Sequence, residues 1–125
     1  MKLGAHVSIR GGVENAPLYG KAATCDVIQI FSKNQLQWKF SPLSDESVSL
    51  FKKRAKELNI EPVSIHASYL LNLASTNEAI RKKSIENLKV ELERADMLGI
   101  SYVVFHPGAH KGVGEAVGLK NISTS

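Results

Sequence analysis

Four short apolar runs, separated by longer segments of mixed character, constrain this chain more than any other feature. They are KLGAHV at residues 2–7, DVIQIF at 26–31, PVSIHA at 62–67 and SYVVFH at 101–106. Each has strand length and is bounded by turn or cap residues. The spacing predicts helices between them, over about 11–23, 45–58 and 76–98. The first is the weakest helix former, because Gly11, Gly12, Pro17 and Gly20 all lower its propensity. The second follows an N-cap at Ser44 and carries Val48, Phe51, Ala55 and Leu58 on one face. For the third, Ser75 and Glu78 match a capping box, Ile85, Leu88, Leu92 and Ala95 form the apolar stripe, and Gly99 stops the helix.

Alternating strands and helices specify βαβ units and a parallel α/β sheet. The runs are near-continuously apolar, which leads us to expect burial on both faces by helices. An open doubly wound sheet and a barrel both satisfy this pattern. The first strand-to-helix turn, AHVSIRGG, has paired glycines but no G-x-G-x-x-G, which disfavours a dinucleotide-binding sheet.

At 125 residues the chain fits one domain, residues 1–125, able to bury a core without disulfides. Its lone cysteine, Cys25, has no partner and reads as a small buried hydrophobe. No run is long enough to span a bilayer and no secretory leader is visible, so the expectation is a cytoplasmic protein without membrane contact. The net charge of +4 favours a polyanionic partner, but the basic residues are dispersed and read as solvated helix faces.

The histidines fall in a pattern. His6, His66 and His106 each sit at or near the end of a strand, and in a parallel α/β fold those ends open on one rim, the rim that carries active sites. Converging imidazoles suit zinc, although a catalytic zinc commonly takes three protein ligands and no carboxylate falls at a strand end. Asp26 begins its strand and belongs to the opposite rim, and Glu115 reads as a solvated carboxylate in a glycine-rich loop. His110 cannot form a helical couple with His106, because HPGAH is a turn. It ranks below the other two, as a site-adjacent residue together with His6. The stretch FSKNQLQWKF at 31–40 follows the second strand onto the same rim. Its Lys33, Asn34 and Gln37 suit phosphate and base contacts, while Trp38 and Phe40 read as anchors of the loop.

GAHVS at 4–8, FSKNQLQW at 31–38, IHASYLLNLAS at 65–75 and FHPGAH at 105–110 together resemble the N-terminal half of the endonuclease IV family, also called deoxyribonuclease IV, the bacterial-type apurinic/apyrimidinic endonucleases of DNA base excision repair. The resemblance implies a (β/α)8 TIM barrel with a trinuclear zinc cluster at its C-terminal rim, hydrolysing the phosphodiester 5′ to an abasic site in double-stranded DNA. It implies zinc ligation by His66 and His106 and DNA contact by Tyr69, Gln37, Lys33 and Asn34. Leu36 stands where the family usually carries an arginine that reaches into the duplex. A whole (β/α)8 barrel takes about 250 residues, so the expectation is a truncated, partial barrel of about four parallel strands and three helices, lacking most metal ligands. Two further readings stay open. One is an inactive or DNA-binding half-barrel that forms a homodimer through its open edges. The other is a sugar isomerase-like TIM barrel, against which the KNQ loop and SYL motif argue.

Overall fold

A computed structural model describes residues 1–125. The four expected strands form, each shorter than its apolar run or equal to it: β1 (Gly4–His6), β2 (Val27–Ile30), β3 (Glu61–His66) and β4 (Tyr102–Val104). They make one parallel sheet in the order β1-β2-β3-β4. Neighbours in sequence are neighbours in space, which is how the strands of a barrel are laid down rather than those of a doubly wound sheet.

Helix α1 (Ala16–Ala22) is entered through a single 3-10 turn, Val13–Asn15, and takes Pro17 in its first turn, where no amide donor is missed. Helix α2 (Asp45–Glu57) starts where expected, with Ser44 Oγ accepting from Ser47 N at 3.1 Å and Asp45 and Glu46 at the positive end of the helix dipole. Phe51 and Ala55 are buried, and Val48 and Leu58 pack beside them. Helix α3 (Glu78–Leu98) is capped by Asn77, not Ser75: Asn77 Oδ1 accepts from Ile80 N at 3.1 Å, and Ser75 Oγ supports the cap by accepting from Asn77 N. Gly99, at φ 71°, ends it in the left-handed conformation that glycine adopts without strain.

Three expectations are corrected. A fourth helix, α4 (Glu115–Ser123), forms where GLKNI at 118–122 looks in sequence like only the opening of a helix, and Glu115 is its first residue rather than part of a loop. The buried face of α3 is Ser84, Asn87, Glu91, Arg94, Ala95 and Leu98, while Leu92 is exposed. The face is therefore displaced from the expected apolar stripe and is mostly polar. Finally, the sheet is buried on one side only. Ile28, Ile30 and Ile65 join Phe51, Ile60, Leu98 and Ile100 in the core beneath the helices, whereas β1 is exposed along its length and Tyr102 and Val104 of β4 are exposed. Helices α1, α2 and α3 serve the outer face, α4 packs instead on Ala74, Ser75 and His110, and four strands do not close around the inner face. No helix is long and apolar enough to cross a membrane.

Candidate metal and nucleic-acid site

The parallel register aligns the strand ends. His6 pairs with Gln29 and Gln29 with Ser64, so His66, which pairs with Val104, lies two residues further along its strand than the row of His6, and His106 follows two residues after β4. Their rings form a row: the His6 and His66 centroids lie 6.2 Å apart, and those of His66 and His106 lie 5.3 Å apart. Phe31, the first residue after β2, fills the gap between His6 and His66, at 4.3 Å from the first and 5.7 Å from the second. Tyr69 completes the cluster, 5.5 Å from both Phe31 and His66, and remains 58% exposed.

Hydrogen bonding gives two of the histidines different faces. His66 Nδ1 donates to Ala67 O at 2.8 Å, which leaves Nε2 with its lone pair, the arrangement that orients and tunes a metal ligand. Around His6 the order is reversed. Ser64 Oγ donates to Gln29 Oε1 at 2.8 Å, and Gln29 Nε2 donates to His6 Nδ1 at 3.0 Å, so His6 presents an N–H. Burial, aided by the nearby His66, pushes the His6 imidazole below the usual histidine pKa and favours its neutral form. No three His, Cys, Asp or Glu side chains lie close enough to hold one metal ion among them. His66 and His106, with ring centroids 5.3 Å apart, are the nearest pair of imidazoles in the row.

His110 is not part of the row. Its Nδ1 accepts from the amides of Gly112 and Gly114 at 3.2 and 3.1 Å, so it organises the turn before α4. Asn34, Leu36 and Gln37 are exposed on the loop after β2, where Asn34 Oδ1 accepts from Leu36 N at 2.9 Å in a tight turn. Lys33, expected on the DNA-facing surface, points inward instead. It is 7% exposed, and its Nζ lies 3.2 Å from the Oε1 of Glu91, itself 1% exposed, in an ion pair too bent to be a directed hydrogen bond. A buried carboxylate on α3 is the physical reason: it needs a countercharge, and Lys33 is within reach. Trp38 is half-buried and Phe40 is 40% exposed, its ring lying over the Lys33 and Arg94 cations.

Sequence reasoning missed Phe31, Gln29 and Asn72. Asn72 grips the loop after β4 as a second backbone strand would, with Nδ2 donating to Ala109 O and Oδ1 accepting from Ala109 N, both at 3.1 Å. The signal for Phe31 was present, since it directly follows a strand ending on the same rim.

A family model described as xylose isomerase-like TIM barrel matches residues 19–125. The "Probable endonuclease 4" of Chloroflexus aurantiacus is 43% identical over 122 residues, which is 98% of this chain and 43% of that protein. The crystal structure of endonuclease IV from Thermus thermophilus superposes with a TM-score of 0.82 at 32% identity, covering 99% of this chain and 45% of that one. A D-allulose 3-epimerase from Methylomonas sp. has a TM-score of 0.60 at 20% identity, a likeness of fold alone. The chain therefore spans less than half the length of the relatives it matches. With its four strands laid down in barrel order and its matched residues 19–125, the chain belongs to the xylose isomerase-like TIM barrel family and, within it, is similar to endonuclease IV along nearly its whole length.

Proposed function

We propose that residues 1–125 are the N-terminal half of a zinc-dependent apurinic/apyrimidinic endonuclease barrel that hydrolyses the phosphodiester 5′ to abasic sites in double-stranded DNA. The observation that carries this reading is the row His6, His66 and His106 at the C-terminal rim with an exposed Tyr69 beside it. His66, through Nε2, and His106 would hold zinc, with further ligands from outside these residues. When bound, zinc supplies hydroxide near neutral pH and neutralises charge on the phosphate. Tyr69 would enter the gap left by the missing base, because an abasic nucleotide has no pairing to break. Its position against Phe31 and His66 sets that ring beside the metal ligands. Asn34 and Gln37 would meet the DNA from the neighbouring loop. Leu36 is 67% exposed and offers apolar surface but no charge, and Lys33 is turned inward, so residues 33–37 draw on shape and amide contacts, and the exposed Lys39 is left as the loop's cation for phosphate.

The test is binding and nicking of a duplex with one abasic site, with zinc supplied. We expect a zinc-dependent preference for the abasic duplex over an intact one that is lost in His66→Ala, and 5′ nicking in any assembly that completes the metal shell. Equal affinity for the two duplexes, unchanged by His66→Ala, would overturn the reading.

A second reading, a half-barrel that pairs with its own copy, draws on the open inner face and the two free edges. Leu3, Tyr102, Val104 and Phe105 are 60%, 65%, 44% and 37% exposed there, and unpaired edge strands recruit partners. A two-fold dimer would place two copies of His66 and His106 on one rim. Light scattering of residues 1–125 at micromolar concentration is expected to give a dimer or larger species, and a monodisperse monomer would sink this reading. The likeness to the epimerase shows the fold alone and adds no support for sugar isomerisation.

A further inference from the structure

We propose that Glu91 and Arg94 of α3 are positioning residues that hold the loop between β2 and α2 in one conformation, so that Asn34 and Gln37 meet DNA preorganised. The loop runs from residue 31 to 44 without helix or strand, a length at which a surface segment is ordinarily mobile. Here both of its ends are fixed to one helix. Ser32 Oγ donates to Glu91 Oε2 at 2.5 Å, and Lys33 pairs with Glu91 Oε1. Arg94 Nη1 donates to Ser32 O at 2.5 Å, and Nη2 donates to Ser41 O. One planar guanidinium thus bridges the beginning and the end of the loop, a task its fork geometry suits and an ammonium cannot perform. Phe40 closes the outside of the clamp, its ring centroid 5.4 Å from Arg94 and 5.9 Å from Lys33. In the middle, Ser68 Oγ donates to Gln35 O at 2.7 Å and ties the loop to the Tyr69 segment.

The composition of the clamp separates positioning from simple stabilisation. Glu91, Arg94 and Lys33 are 1%, 5% and 7% exposed, and buried ion pairs add little net stability compared with well-packed apolar side chains. A helix face that served packing alone would be apolar, as α2 shows with Phe51 and Ala55. The buried charges of α3 are instead spent on particular atoms of one loop, Arg94 on the Ser32 and Ser41 carbonyls and Glu91 on the Ser32 and Lys33 side chains, which fixes its shape at no gain in hydrophobic burial.

Trp38 is the only tryptophan in the chain and lies inside this loop, so it reports on loop order directly. The experiment compares acrylamide quenching of Trp38, the urea unfolding midpoint and the affinity for a labelled abasic duplex in the wild type, Arg94→Lys and Phe40→Ala. The DNA arm rests on the function proposed above; the quenching arm does not. Arg94→Lys keeps the charge but reaches one carbonyl, so Trp38 becomes more readily quenched, and duplex affinity falls about tenfold as the loop's ordering cost moves into the binding step. Phe40→Ala removes a half-exposed ring outside the core, leaves the fold intact and moves Trp38 in the same direction by less. Unchanged Trp38 quenching in both folded variants would overturn the proposal. A wild-type chain that binds no duplex would sink the functional reading while the quenching comparison still decides the clamp.

Discussion

Replacing Glu91 by leucine is expected to lower the unfolding free energy by about 3–5 kcal/mol, while the double replacement Lys33→Met/Glu91→Leu recovers most of that loss. The asymmetry follows from burial. Glu91 is the countercharge for Lys33, and it opposes the burial that pushes the Arg94 guanidinium below its usual pKa. Removing it alone leaves two cations in a region of low polarity with one carboxylate fewer than the fold provides. Removing Lys33 as well leaves Arg94 bonded to the carbonyls of Ser32 and Ser41, a satisfied arrangement. Typical domains have about 5–15 kcal/mol in total, so the single variant approaches the limit of folding. Urea melts of the two single variants and the double variant form the cycle that checks this. Equal losses in Glu91→Leu and the double variant would show that packing, not charge compensation, is what Glu91 supplies.

Gly108→Ala is expected to be the second most damaging change, at about 2–3 kcal/mol, because it combines strain with a blocked contact. Gly108 has φ 115°, where an L side chain is strained, and a Cβ there would sit 2.1 Å from Asn72 Oδ1 and 2.7 Å from Asn72 Cα. The side chain of Asn72 could swing away, but only by giving up both bonds to Ala109, and the backbone of Asn72 cannot move without disturbing the bond from Leu73 N to Pro107 O at 2.8 Å. The variant therefore loosens the segment that carries His106. Hydrogen exchange at the Ala109 and Leu73 amides together with the urea midpoint reads both effects. Full protection at wild-type stability would mean that the Asn72 staple is dispensable.

These two positions also show where sequence reasoning stops. The strands, their parallel order and the histidine rim were legible, because short apolar runs bounded by turn residues specify βαβ units and parallel strands end on one face. Helix α4 was only partly legible, as Gly112, Gly114 and Gly118 interrupt the pattern that marks a helix start. The face of α3 was read out of phase. Leu88 and Leu92 drew attention to an apolar stripe, whereas the helix buries Glu91 and Arg94 to reach a loop more than fifty residues earlier in the chain. Periodicity carries no information on such distant partners. The inward turn of Lys33 was hidden for the same reason: on its own loop it looks like a phosphate contact, and only the presence of Glu91 makes it an internal countercharge. The open inner face was concealed too, since an apolar strand in half a barrel reads the same as one covered on both sides.

The polar face of α3 bears on how barrels of this kind can be recombined. Cutting such a fold between successive strand–helix units and joining pieces from different parents treats each unit as self-contained. Here the loop after β2 and the helix after β3 share their charges, so a crossover between residues 42 and 77 would separate Arg94 from the Ser32 and Ser41 carbonyls it bridges. Chimeras that inherit residues 31–94 from a single parent would keep the loop and its anchor matched. Those that divide this stretch would carry a loop from one lineage over buried charges chosen by another.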